Sequence, residues 1–121
     1  MNTSCYIGQL FSDGTVRAVR CHYDGYPTGV GQILLNHWGL DNIRGLIENG
    51  NISRLESDLE STQFLNQNQN LKWNNIMDFA KNGQEYNYLL LTTDRWYTHN
   101  RREYPNWIDL QLAISEYHDD E

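Results

Sequence analysis

Basic residues are scarce in this chain. Nine Lys and Arg stand against sixteen Asp and Glu, for a formal charge of −7. Direct nucleic-acid binding is not expected unless the few cations cluster. The acidity is spread out, apart from the tail His118-Asp119-Asp120-Glu121. It serves solubility, or it suits a protein that meets basic surfaces, including sites that normally hold DNA. Long apolar runs are absent as well. Nothing approaches the roughly 20 residues of a membrane span, and no signal peptide is recognisable, so a cytoplasmic location and no membrane partner are expected. Two cysteines in a reducing compartment read as thiols. No metal-ligand spacing and no cofactor fingerprint occurs, so neither metal nor cofactor is expected.

What is present suffices for a folded domain. At 121 residues the chain is one domain, 1–121, able to bury a core without metals or disulfides. Four Trp and eight Tyr add contact area to a modest apolar fraction of 39%.

Residues 4–11 and 15–22 read as a β-hairpin around Ser12-Asp13-Gly14. A two-residue turn would set Ile7 opposite Arg20. A three-residue loop with Gly14 left-handed pairs Ile7 with Val19, Leu10 with Val16 and Cys5 with Cys21. The second register sorts the apolar residues better, and a buried face demands sorting, so it is preferred. It makes Cys5 and Cys21 a hydrogen-bonded cross-strand pair with Cα atoms about 5.5 Å apart. A disulfide is within reach, but buried thiols are the default.

Thr28 reads as the N-cap of a helix whose stripe is Val30, Ile33, Leu34 and Trp38, stopped at Gly39. Asp41 reads as the cap of a second, with Ile43, Leu46 and Ile47 inward and Asn49-Gly50 at its end. Ile52, Leu55 and Leu59 suggest a further helical segment. The Gln- and Asn-rich stretch from Gln63 to Asn70 reads as a surface loop, mobile near 62–72. Trp73, Ile76, Met77 and Ala80 make a short helix closed by Asn82-Gly83. Tyr86 to Thr92 is a strong strand, returning as Arg95 to His99 in a second hairpin. Asn100 to Pro105 reads as loop. Asn106 reads as the cap of a last helix, with Asp109 at its third position and Leu110, Ala113, Ile114 and Tyr117 inward. The fold class is α+β: two antiparallel β-hairpins forming a sheet packed against three to four short helices. Trp38, Leu34, Ile43, Leu90, Ile114 and Trp96 are the expected core.

Chemistry-bearing side chains crowd into Cys21-His22-Tyr23-Asp24-Gly25-Tyr26-Pro27-Thr28-Gly29-Val30-Gly31. Cys21 and His22 are strand neighbours and point to opposite faces, so they do not form a thiolate–imidazole pair. His22 and Asp24 share a face and have the composition of a base-orienting pair, but no local third partner completes a catalytic set. Alternatively, Asp24 serves its own turn with a left-handed Gly25. Helix-start amides at Gly29 and Gly31 suit a small anion, while the same glycines let the helix pack closely on the first hairpin. Tyr26 is the residue of this segment best suited to function. A second group, Arg95, Trp96, Tyr97, His99, Arg101, Arg102 and Tyr104, is the only basic–aromatic cluster. It suits base stacking, a protein hot spot, or simply a core Trp96 with solvated arginines. No catalytic residue is assigned; the candidate binding residues are His22, Asp24, Tyr26, Gly29, Gly31, Arg95, Tyr97, Arg101, Arg102 and Tyr104.

The run Val19 to Gly31, followed by Ile33-Leu34-Leu35, resembles a family of small uncharacterised bacteriophage and prophage proteins with the pattern C-H-[WY]-D-G-Y-P-x-G-V-G. The similarity extends through Ile43 to Ser53 and is looser around Tyr88, Leu90 and Trp96. It implies phage origin and transfers no activity. By analogy with small acidic phage proteins, it points to an accessory protein that binds and modulates a host protein, such as a defence or nucleic-acid enzyme, without catalysis. The alternative is binding or hydrolysis of a small anionic ligand, such as a nucleotide, at 22–31.

Overall fold

The computed structural model describes residues 3–65, 70–100 and 104–116. The described elements run β1 (Cys5–Leu10), β2 (Val16–Cys21), a wide π-type helical turn (Pro27–Gly31), α1 (Gln32–His37), α2 (Ile43–Asn49) and β3 (Ile52–Arg54). They continue β4 (Gln63–Phe64), β5 (Leu71–Trp73), α3 (Ile76–Lys81), β6 (Tyr86–Leu90), β7 (Trp96–Asn100), β8 (Tyr104–Asp109) and α4 (Leu110–Glu116). The strands form one mixed sheet in the order β4-β3-β2-β1-β6-β7-β8, with β5 also paired to β2. The α+β class holds, with more strand than two hairpins supply.

Apolar sorting fixes the first hairpin. Cys5 pairs with Cys21, Ile7 with Val19 and Leu10 with Val16, and both cysteines are buried thiols. Gly14 closes the loop at φ 91°. Asp13 secures the same loop by accepting from the Thr15 hydroxyl at 2.7 Å and the Thr15 amide at 3.0 Å. These bonds, the hydroxyl first, hold the Asp13 carboxyl below its ordinary range. A carboxylate with a depressed folded pKa contributes stability above its unfolded pKa and loses it as pH falls through the folded value. Asp13→Asn is therefore expected to flatten the acid limb of the stability curve, followed by thermal melting from about pH 5 to about pH 2.

The second hairpin pairs Tyr86 with Asn100 and Leu90 with Trp96. β1 and β6 join the hairpins by parallel pairing, from Cys5–Tyr86 to Gln9–Leu90. Period-2 alternation then divides the core in two. One face carries Cys5, Ile7, Val19, Cys21, Tyr88, Leu90 and Trp96, covered by Val30, Leu34 and Trp38, by Ile43, Leu46 and Ile47 of α2, and by Leu110 of α4. The other carries Val16, Ala18 and Leu89 beneath Phe79 of α3, with Tyr6, Trp73 and Trp107 around it. Of the expected core, only Ile114 is partly rather than fully buried.

Several expectations are corrected. The first helix has no Thr28 cap; the turn enters from extended Tyr26 with Pro27 first, and no side chain caps it. Asn42, not Asp41, precedes α2. The segment Ile52–Leu59 is not helical. Ile52 pairs in parallel with Cys21, and the Arg20 amide donates to Asn51 Oδ1 at 3.1 Å, drawing the chain alongside β2. Gln63 and Phe64 form a strand against β3 rather than loop, and residues 66–69 lie outside the description. Trp73 belongs to β5, and α3 turns Phe79 inward with the expected Ile76 partly buried beside it, whereas Met77 is 74% exposed. The last helix starts three residues late because Tyr104 to Asp109 pairs with β7. Asp109 is its cap, accepting from the Gln111 amide at 2.9 Å. Pro105 is tolerated because β8 is an edge strand. Tyr117 and the acidic tail lie outside the described residues. No described helix is long and apolar enough to cross a membrane.

Candidate functional site

The 22–31 segment leaves β2 as a braced shoulder. The His22 amide donates to the Ile52 carbonyl at 3.0 Å and the Gly25 amide to the Thr3 carbonyl at 2.8 Å. The buried Tyr88 hydroxyl donates to the Gly25 carbonyl at 2.6 Å. The left-handed residue is Asp24, at φ 61°, and not Gly25 as the sequence suggested. Gly25 is needed for proximity instead: a Cβ there stands 2.8 Å from the Thr3 carbonyl oxygen and 2.9 Å from the Ser4 carbonyl carbon.

The helix-start amides are engaged inside the segment. The Gly29 amide donates to the Tyr26 carbonyl at 2.9 Å and the Val30 amide to the Asp24 carbonyl at 2.8 Å. Gly31 also donates to Tyr26, at 3.5 Å. A Cβ on Gly29 would meet the Asp24 carbonyl, and one on Gly31 would meet Tyr88 and Leu110 at 3.2 Å. Both glycines thus sit at close contacts, Gly31 against β6 and α4 rather than against the first hairpin.

Outside this braced backbone stands a polar–aromatic rim. Tyr23 and Asp24 are exposed, and Tyr26 is half-buried against the core. The Tyr26 hydroxyl reaches Asp24 Oδ1 at 3.4 Å, and Arg54 Nη1 lies 3.5 Å from Asp24 Oδ2. The Arg54 guanidinium also lies over the Tyr23 ring, 5.8 Å from its centroid. His22 is half-buried. Tyr23 and Arg54 were not singled out in the sequence; their signal is spatial. Cys21 pairs with Ile52, and each of the two lies two residues beyond that pair.

The cysteines behind the shoulder are buried thiols that share one hydrogen bond, which lowers the Cys21 thiol against the opposing effect of burial. Burial pushes the Cys5 thiol up, and its hydrogen bond with Cys21 raises it further. Among the described residues, no group of three or more His, Cys, Asp or Glu gathers to hold a metal.

The basic–aromatic cluster is split by the sheet. Trp96 enters the main core, and its indole donates to the Trp38 carbonyl at 2.8 Å. Tyr97 is half-buried, and His99 is buried on the other face with its ring 5.3 Å from that of Trp107. Arg95 is exposed, 3.9 Å from Asp109. Arg101, Arg102 and the Tyr104 side chain lie outside the described residues. Beside Arg95 opens a cleft of about 370 Å³, lined by His37, Asp41, Asp94, Trp96 and Asp109. Asp94 holds φ 66° there and accepts from the Leu40 amide at 2.8 Å, tying the second hairpin to the α1–α2 turn. Its carboxylate has a structural task.

No protein-family model, curated protein or solved structure matches this chain.

Proposed function

We propose that this chain is a non-catalytic binding protein whose rim of Tyr23, Asp24 and Tyr26 docks on another protein. The likeness of its 19–31 run to small phage and prophage proteins supplies the partner class: a host protein, of which a defence or nucleic-acid enzyme suits a chain of charge −7.

The observation that carries the reading is Asp24. A left-handed non-glycine residue costs about 1 kcal/mol. Glycine would offer the same carbonyl to Val30 without that cost. The Asp24 carboxylate makes only long surface contacts, unlike that of Asp94. Strain kept for a side chain without structural employment supports a binding role. Around it stand Tyr and Arg, the residue types favoured at protein hot spots. The engaged amides of 29–31 give the anion-binding alternative no support at this segment.

Immobilised chain should retain a protein from bacterial host lysate. Tyr23→Ala should lose it while melting as the wild type does, since Tyr23 is exposed. Tyr26→Ala should lose it at some cost in stability, since Tyr26 packs on the core. Retention should weaken with salt. Equal retention by wild type and both variants would remove the rim from the interface.

A further inference from the structure

The face of the sheet that carries the main core turns polar towards the first hairpin loop. Two residues beyond the Ile7–Val19 pair, Gln9 lies opposite Arg17, and Arg17 lies directly opposite Lys72 of β5. Directly opposed strand residues share a face, and like charges there repel. In a chain of charge −7, such a pair is out of place.

Carboxylates stand nearby, yet neither cation has one within ion-pair distance among the described residues. Asp13 is engaged by Thr15 and feels Lys72 only beyond ion-pair distance, and Glu48 is engaged by Arg44 at 2.8 Å. Arg17 lies instead over the Phe11 ring, 5.9 Å from its centroid. The α2 helix and the turn before it overhang this end of the sheet. The result is a cleft of about 640 Å³, whose lining includes Phe11, Arg17, Leu40, Arg44, Ile47 and Lys72. Phe11 and Leu40 are 36% and 40% exposed. In the cleft beside the second hairpin, Arg95 and Asp109 offset each other. Here cations exceed carboxylates, Arg17, Arg44 and Lys72 against Asp13 and Glu48.

We propose that this cleft binds a mononucleotide. Its phosphate sits between Arg17 and Lys72 with Arg44 at the rim, and its base lies against Phe11 and Leu40. A doubly charged phosphate suits two opposed cations that lack a carboxylate of their own. A flat base suits an exposed aromatic beside a stacked guanidinium. The site is separate from the Tyr23–Asp24 rim and does not depend on it.

The test is calorimetric titration with adenosine monophosphate at low salt, with adenosine and inorganic phosphate as separate arms. One saturable site is expected for the nucleotide, with either fragment at least about tenfold weaker. Arg17→Gln/Lys72→Gln should weaken nucleotide binding by about tenfold or more, and should melt no lower than the wild type because a repulsion is removed. Phe11→Ala should weaken the nucleotide and leave inorganic phosphate unchanged, and Tyr23→Ala should leave both unchanged. No saturation at millimolar nucleotide, or full binding by the double variant, would overturn the proposal. Phosphate alone binding as tightly as the nucleotide would overturn the assignment of the base.

Discussion

Gly25→Ala is expected to destabilise the fold by about 3 kcal/mol, at the upper end of overpacking costs. For a chain of this size that is a fall of about 10 °C in melting temperature. The added methyl meets backbone: the Thr3 carbonyl oxygen at 2.8 Å and the Ser4 carbonyl carbon at 2.9 Å. A flexible side-chain end would swing aside, but this backbone leads directly into β1. Cys5 is fixed there by pairing with both Cys21 and Tyr86. Moving Gly25 instead breaks its amide bond to Thr3 and the buried Tyr88 bond to its carbonyl. Neither escape is cheap. The loss arises from crowding, because Gly25 has no left-handed φ to protect. Thermal melting measures it; a fall of less than about 2 °C would mean that the β1 entry yields.

Phe79→Ala is expected to cost about 4 kcal/mol, in the usual range for deleting a buried Phe side chain. Phe79 is fully buried, and around it stand the rings of Tyr6 at 6.2 Å, Trp73 at 6.4 Å and Trp107 at 5.8 Å. Its ring edge also fills the space above Gly8, 3.1 Å from where a Cβ would stand. Phe79 is the fully buried anchor of α3, which is too short to be stable alone. Its loss should uncover the second face and raise the fluorescence yield or shift of Trp73 and Trp107 before global melting. Met77→Ala on the same helix should change stability by less than about 0.5 kcal/mol, because Met77 is exposed. Equal effects of the two substitutions would show that α3 packs by another face.

The contrast between Phe79 and Met77 shows where sequence reading reached and where it stopped. Long alternating runs were legible. The β1–β2 register followed from sorting Ile7 and Val19 onto one face, and β6 from its leucine run. The α1 stripe was legible at 3.6-residue spacing, with Leu34 and Trp38 in the core. Short elements were not. A three-residue run such as Ile52–Arg54 has no period of its own, and its strand character comes from Cys21, far away in the chain. Leu71–Trp73 likewise depends on Val16 to Ala18. Asn106 offered plausible cap chemistry, but pairing with β7 prevailed over that local preference.

For the candidate site, the sequence located the shoulder and misassigned its strain. Asp-Gly pairs usually place the positive φ on glycine; here contact with Thr3 and Ser4 claims the glycine and leaves Asp24 left-handed. Arg54 became a neighbour only through the parallel pairing of β2 with β3. The Arg17–Lys72 opposition was hidden for the same reason, since the sequence suggests a loop near 62–72 and a helix from Trp73 where β5 pairs with β2.

The most direct test of the binding role is Asp24→Gly, measured for melting temperature and for affinity to the captured partner in one preparation. Glycine keeps the left-handed backbone and the carbonyl bond to Val30, and it removes the side chain with its long contacts to Tyr26 and Arg54. The account predicts a melting temperature equal to the wild type or higher, by up to about 1 kcal/mol of added stability. It also predicts at least about a tenfold loss of affinity. Wild-type affinity in Asp24→Gly, or a clear loss of stability, would contradict it, because the carboxylate would then be either idle or structural.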